Sequence, residues 1–304
     1  MYDIIIVGSG TAGMTAAIYS ARANRKVLVI EQLICGGQIV NAEKVENYPG
    51  IKSISGADYS MTLFEQATEL GAEFIFAAVT AVTKDNKGFT VTADNNTYDS
   101  HALIIATGAK NRPLGINGEE RYIGKGISYC ATCDGAFYKD KTTAIVGGGN
   151  TAIDDALYLG TMCKKVYVIH RRDAFRGEAI KVSAMKEKEN IELVTDSIVT
   201  GLLGDDKITG VTVKSKLTNK ETALNIDGLF VAIGQMPDNM IFNKLVNLDD
   251  KGYIVANEDC KTKTEGLFTA GDCRTKAVRQ LSTAAGDGTV AAVTALEYIT
   301  GLGY

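Results

Sequence analysis

Two cysteines separated by two residues and followed at once by a carboxylate carry the most reactive chemistry in this sequence: Cys130-Ala131-Thr132-Cys133-Asp134. A two-residue spacer lets the sulfurs close a disulfide and lets one thiolate be stabilised, which is redox-dithiol chemistry. Structural zinc would need four ligands, and no second CxxC or HxxxH pair exists to complete them. Two unpaired core thiols are the blander alternative. Asp134 is placed to relay a proton during disulfide opening, or simply to cap the helix that begins there. The other four cysteines, Cys35, Cys163, Cys260 and Cys273, stand alone, too few for a disulfide scaffold.

Two glycine turns supply a second kind of chemistry. Gly8, Gly10 and Gly13 form a GxGxxG that follows an apolar strand and opens a helix. The first glycine makes the turn, the second lets the backbone approach a pyrophosphate, and the third packs helix on strand. Exposed amides and the helix dipole then hold the phosphates. Glu31 ends the next strand, where a carboxylate accepts bonds from ribose hydroxyls. Gly147, Gly149 and Ala152 repeat the turn as GxGxxA, but there His170, Arg171 and Arg172 follow the second strand, with Arg176 one turn further. Arginines in that place suit a 2′-phosphate. The first site therefore fits FAD or NAD, and the second NADPH. The alternatives are an ordinary strand-to-helix turn for the first and a solvated basic face for the second.

These residues need a scaffold, and an internal repeat describes it. A shift of 139 lays residues 6–32 ungapped on 145–171 with 10 of 27 positions identical. Each copy reads as strand, glycine turn, helix, strand, the βαβ unit of a parallel sheet. Apolar Ala102–Ala106 ends in Thr107-Gly108 and apolar Leu267–Ala270 in Gly271-Asp272, both strand ends suited to the first domain's ligand crevice. Leu229–Ile233, ending in Gly234, is the matching last strand of the second. The expected fold is α/β, with two Rossmann-like dinucleotide-binding domains, the second inserted into the first. The expected division is 1–112, 113–237 and 238–304. Crossings near Asn111-Arg112-Pro113 and Gln235-Met236-Pro237 take two of the three prolines and could form a double hinge.

Composition narrows the classes. The 304 residues carry 32 basic and 36 acidic side chains, a net −4 that does not suit a nucleic-acid partner. No apolar run approaches the ~18 residues of a membrane span. The first strand has no basic flank and breaks at Gly8, unlike a signal peptide. Sparse cysteines make a cytoplasmic protein the default expectation.

Together the motifs resemble the bacterial low-molecular-weight thioredoxin reductases, and the resemblance covers essentially the whole chain. It rests on Gly36-Gly37-Gln38, Glu46-Asn47-Tyr48-Pro49-Gly50, Ala106-Thr107-Gly108, Cys130-Ala131-Thr132-Cys133-Asp134, His170-Arg171-Arg172 with Arg176, Gly271-Asp272 and Arg279-Gln280. The resemblance implies two three-layer ββα domains, one for FAD and one for NADPH, a homodimer, and rotation of the inserted domain. It implies thioredoxin-disulfide reduction, with Cys133 facing the flavin, Cys130 attacking thioredoxin and Asp134 as acid–base group. FAD would meet Gly8, Gly10, Thr11, Gly13, Glu31, Gly37, Gln38, Asn47, Ala106, Thr107, Gly108, Asp272, Arg279 and Gln280. NADPH would meet Gly147, Gly149, Asn150, Thr151, Ala152, His170, Arg171, Arg172 and Arg176.

The helix after Gln280 would point its positive end at the flavin pyrimidine. Thr11 departs from a common proline, Asp154-Asp155 from a glutamate pair, and Gly177 from a frequent alanine. Cys35 and Cys273 read as small packed residues. Alternatives are ferredoxin as donor, or another thioredoxin-like or peroxiredoxin-type acceptor.

Overall fold

The computed structural model describes residues 1–42 and 44–303. Its α-helices are α1 (Thr11–Arg22), α2 (Gly56–Glu69), α3 (Ala131–Asp134), α4 (Asn150–Leu159), α5 (Ala179–Glu187) and α6 (Leu281–Gly301). The chain divides into two compact units, one of residues 1–110 and 236 onward, the other Asn111–Gln235.

In the first unit, strand Tyr2–Val7 lies parallel between Val27–Glu31 and Asn96–Ile105, and Glu73–Phe76 extends the sheet beyond Val27–Glu31. Leu267–Thr269 joins Asn96–Ile105 in parallel, so the returning chain completes the sheet begun by the N-terminus. The N-terminal half of Asn96–Ile105 also pairs antiparallel with Gly88–Ala93, which pairs in turn with Val79–Asp85. Strand alternation explains the layers. Ile4, Ile6, Val27, Val29 and Ile104 pack with apolar residues of α1 and α6, while Ile5, Val7, Leu28, Ile30 and Ile105 pack with Phe89 and Val91 of the antiparallel strands. A strand buried on both faces must read as a continuous apolar run, as Ile4-Ile5-Ile6-Val7 does.

The second unit repeats the plan. Its parallel order is Ile191–Val194, Lys165–Ile169, Thr142–Val146, Gly228–Val231 and Ile127–Ser128. Ile145, Val166, Val168 and Phe230 face α4 and α5, whereas Ala144, Ile169, Leu229 and Val231 face Ile208, Val211 and Val213 of a separate three-stranded antiparallel sheet. Both units are thus helix, parallel sheet and antiparallel strands in three layers, the α/β fold expected. In each, the glycine turn sits at the carboxyl end of a central parallel strand, where open α/β sheets bind ligands.

Candidate active site

The first glycine turn is built from near contacts that side chains would forbid. Gly8 has φ +101°, and a Cβ there would lie 2.4 Å from the Ala106 carbonyl oxygen. A Cβ on Gly13 would lie 1.9 Å from the Gly8 carbonyl oxygen. Gly10 caps α1 with no side-chain acceptor, and no acidic residue occupies the first turn. Its leading amides are left for an anion. Glu31 accepts the Ser9 amide at 2.9 Å, the Ser9 hydroxyl at 2.8 Å and the Leu33 amide at 3.1 Å, which pins its carboxylate at the strand end.

A second loop leans on this turn. Gly36 donates its N–H to the Ser9 carbonyl at 2.9 Å, and a Cβ on Gly37 would touch Gly10 Cα at 3.4 Å. Gln38 Nε2 donates to the Ala109 carbonyl at 3.3 Å, just beyond Ala106-Thr107-Gly108. Thr107 Oγ1 lies 3.3 Å from Asn239 Oδ1. Asn47 Nδ2 donates to Gln280 Oε1 at 3.4 Å, so two residues 233 apart in sequence meet at the start of α6. Gln280 caps α6 reciprocally with Thr283. The expected flavin-side residues therefore converge at one end of the sheet and the heads of α1 and α6.

Asp272 is the polar group that most clearly needs a ligand. Its Oδ1 is buried without a hydrogen-bond partner, a costly state for a carboxylate unless a hydroxyl or similar donor arrives. Burial raises its carboxyl above the ordinary range, opposed by Lys276 and Arg279. The loop that carries it is held from two sides. Arg279 lies over the Tyr253 ring at 4.2 Å and donates to the carbonyls of Lys276 and Arg274, both at 3.3 Å.

From the other side, Asp287 of α6 accepts the Gly271 amide at 3.0 Å, Arg274 Nε at 3.0 Å and Lys276 Nζ at 2.9 Å. Burial alone would raise Asp287, but Arg274 and Lys276 hold it below the ordinary carboxylate range. Sequence reasoning missed Asp287. Its only signal was an acid set between two glycines, Gly286 and Gly288, in a helix rich in small and apolar residues.

The second turn has the same skeleton. A Cβ on Gly147 would lie 2.5 Å from the Ala232 carbonyl oxygen, and Gly149 caps α4 without a side-chain acceptor. His170 is 5% exposed, with Nε2 unpartnered. Its ring lies over Gly148, where a Cβ would come within 2.1 Å, and stacks on Phe175 at 5.1 Å. Burial lowers its proton affinity, and Arg176, Arg171 and Arg172 add to that. The ring is packed against the glycine turn and away from solvent. Arg171, Arg172 and Arg176 are exposed, and the Arg176 amide donates to the Gly148 carbonyl at 2.7 Å, which ties the arginine loop to the glycine turn. Asn150 Oδ1 accepts the Glu178 amide at 2.9 Å, while Thr151 is exposed and Ala152 buried.

Cys130 and Cys133 are joined by a disulfide, with their Cα atoms 5.3 Å apart. Cys130 caps α3, and its carbonyl accepts the amides of Cys133 at 3.2 Å and Asp134 at 3.1 Å. Asp134 caps neither α3 nor the helical turn after it through its side chain. Its carboxyl is raised by burial, and the Ser128 hydroxyl donates to Oδ2 at 2.6 Å. Ser128, two residues ahead of Cys130, escaped sequence reasoning because nothing in its spacing marks it.

Cys273 is fully buried, its thiol bonded to the Ala270 carbonyl at 3.3 Å, and Cys35 is half-buried; burial raises both thiols, which disfavours the reactive thiolate.

The sequence profile of the pyridine nucleotide-disulphide oxidoreductases matches residues 2–288. A thioredoxin reductase of Listeria monocytogenes is 42% identical over 300 residues, covering 98% of this chain and 94% of that protein. One from Bacillus subtilis is 40% identical over 300 residues, covering 98% and 95%. The crystal structure of a thioredoxin reductase from Streptococcus pyogenes superposes with a TM-score of 0.95 at 38% identity, covering 99% of each chain.

Proposed function

The chain belongs to the pyridine nucleotide-disulphide oxidoreductases, and from that premise we propose how its residues divide the work. The activity is NADPH-dependent reduction of the disulfide of thioredoxin, supported by full-length kinship with thioredoxin reductases. When bound, FAD supplies a two-electron carrier between NADPH and the Cys130–Cys133 disulfide. The observation that carries the reading is that disulfide, held in a CxxC turn beside a raised carboxyl, in a chain with two dinucleotide turns of opposite charge.

For FAD, the amides around Gly8, Gly10, Thr11 and Gly13 would hold the pyrophosphate and Glu31 a ribose hydroxyl. The unpartnered Asp272 oxygen would accept a ribityl hydroxyl. Gly37, Gln38, Asn47, Ala106, Thr107, Gly108, Arg279 and Gln280 complete that pocket. The start of α6 would lend positive potential to the flavin's pyrimidine end. For NADPH, Gly147, Gly149, Asn150, Thr151 and Ala152 form the phosphate turn. Arg171, Arg172 and Arg176 clasp the 2′-phosphate, and His170 braces the turn from beneath.

In the reduced site, the Cys130 thiolate attacks the thioredoxin disulfide and forms a mixed disulfide. Cys133 then attacks Cys130 Sγ, releases reduced thioredoxin and restores the Cys130–Cys133 bond. Asp134 takes the proton as the attacking thiolate forms and returns it to the expelled sulfur. Rotation of the inserted unit on its two connections, a homodimer and a cytoplasmic location belong to the same reading. Among the described residues no helix is long and apolar enough to cross a membrane. Ferredoxin as donor is not favoured, because the second glycine turn keeps its arginines, and the kinship with thioredoxin reductases favours thioredoxin over a peroxiredoxin-type acceptor.

Cys130→Ser tests the assignment. The variant is expected to lose thioredoxin turnover while NADPH still bleaches its flavin at an unchanged rate. Retained turnover would move the attacking sulfur elsewhere.

A further inference from the structure

Three polar groups crowd the Ser128 hydroxyl. Oγ lies 2.6 Å from Asp134 Oδ2, 3.1 Å from the Cys130 amide nitrogen and 3.3 Å from the Cys130 carbonyl oxygen. A hydroxyl has one hydrogen to give and two lone pairs to receive with. The Cys130 N–H is a donor only, so it always takes one lone pair. With Asp134 ionised, the hydrogen goes to the carboxylate and the Cys130 carbonyl receives none from Ser128. With Asp134 protonated, the acid donates to Oγ, and the hydroxyl hydrogen is free to turn to the Cys130 carbonyl. Both arrangements use the same heavy-atom positions and leave no donor wasted. Ser128 is buried, so water does not readily substitute for it.

We infer that Ser128 is a positioning residue for the disulfide exchange: its hydroxyl turns between the Asp134 carboxylate and the Cys130 carbonyl as Asp134 loses or gains its proton. The inference rests on the acid–base role proposed for Asp134. One proton leaves the Cys130 thiol for Asp134 as the thiolate forms. The thiolate breaks the partner's disulfide, and the proton then goes to the sulfur expelled. Ser128 gains and loses no proton in this cycle. It reports the protonation state to the backbone of the attacking cysteine, whose carbonyl also receives the Cys133 and Asp134 amides. Packed against α3 are the turn Gly135–Tyr138 and α4, whose titratable groups are Tyr138, Asp154, Asp155 and Tyr158. The influences on the Asp134 carboxyl itself are burial, which raises it, and the Ser128 bond, which lowers it.

The test is a single turnover of NADPH-reduced holoenzyme with oxidised thioredoxin from about pH 5 to 9, where a general acid's titration is read as a limb of the rate profile. Wild type is expected to show a one-proton limb that Asp134→Asn removes. Ser128→Ala is expected to move that limb upward by about one pH unit, because the charged form loses its donor. Ser128→Thr, which keeps the hydroxyl, is expected to restore it. Flavin reduction by NADPH checks that each variant is folded and loaded. A limb lost in Asp134→Asn but unmoved in Ser128→Ala overturns the role of Ser128 alone. A limb that survives Asp134→Asn overturns the role of Asp134 first, and that of Ser128 with it.

Discussion

The two glycine turns share a backbone and differ in where they keep charge. In the first, α1 buries ten of its twelve residues, the strand-end carboxylate of Glu31 is bonded by three donors, and the neighbouring ions, Asp287, Arg274 and Lys276, lie inside. In the second, α4 buries four of ten, and the strand end is followed by three exposed arginines. A βαβ turn fixes where a pyrophosphate can sit, while its surroundings decide what kind of ligand it serves. A turn under a buried helix suits a cofactor that stays. A turn beside exposed cations suits a charged substrate that comes and goes, because exposed charges attract at long range and release readily.

The largest effect should come from exchanging the third small residue of each motif. Gly13→Ala places a methyl 1.9 Å from the Gly8 carbonyl, inside a helix covered by α6, where Gly288 in turn has no room for a Cβ beside the Ala12 carbonyl. We expect purified Gly13→Ala to retain under about one-tenth of the wild-type flavin, a clash of the new methyl with a backbone carbonyl that cannot move aside being worth several kcal/mol. Ala152→Gly removes a methyl that the second turn already accommodates. It should cost about 1 kcal/mol of helix stability and change the KM for NADPH by less than about threefold. Equal flavin loss in both variants would break the comparison.

Next is Asp287→Asn. Asp287 and Arg274 side chains are 13% and 5% exposed, and Lys276 is 8% exposed. Removing the carboxylate leaves two cations buried without their partner, so the holoenzyme should lose about 3 kcal/mol in urea at pH 7. The sign with pH follows from the depressed carboxyl. Its contribution is complete above the unfolded carboxylate range and disappears as pH falls through the lower folded value. The deficit of Asp287→Asn should therefore shrink toward about pH 3, and a constant deficit would show that its charge is not what matters.

Replacing Arg171 and Arg172 with neutral residues should be smaller and confined to one ligand. Losing charge-assisted bonds of roughly 1.5–3 kcal/mol should raise the KM for NADPH about tenfold to a hundredfold, with little change for NADH. Flavin content should stay intact. An unchanged preference between the two coenzymes would reduce those arginines to solvated surface.

Much of this was readable in the chain because it is local. Glycines that turn, apolar runs that become buried strands, and the exchange of Glu31 for His170-Arg171-Arg172 all act within a few residues of themselves. The doubly buried strand Ile4–Val7 announces itself by composition alone. Asp287 and Ser128 were not legible, because their meaning depends on packing. Asp287 matters through a loop 11 to 16 residues upstream that α6 folds back upon. Ser128 matters through the CxxC turn closing over its hydroxyl. The meeting of Asn47 with Gln280 depends on the chain returning to complete the first sheet, which residue spacing does not encode. Asp134 shows the converse: helix capping was the plainer alternative to a proton relay, and its side chain caps neither turn but is buried with Ser128 as its partner.

The smallest effect separates the two helices themselves. Asp155 of α4 stands where α1 has the buried Ala16, and its carboxyl is pushed up from 3.8 to about 6 by burial and then by Asp154. An acid raised on folding opposes the fold when charged. The penalty is absent below the unfolded value near 4, grows as pH rises, and is complete above about 6. The full displacement bounds the cost at about 3 kcal/mol, and residual solvent contact reduces it to ~1–2 kcal/mol. Asp155→Asn should accordingly stabilise the protein by that amount at about pH 8 and leave it nearly unchanged at about pH 3, below the unfolded value. Denaturation at the two pH values reads the difference directly. A gain at both would mean that shape, not charge, distinguishes the position. No gain at either would mean that α4 is wet enough to keep the carboxylate hydrated, and the contrast with α1 would then rest on the arginines alone.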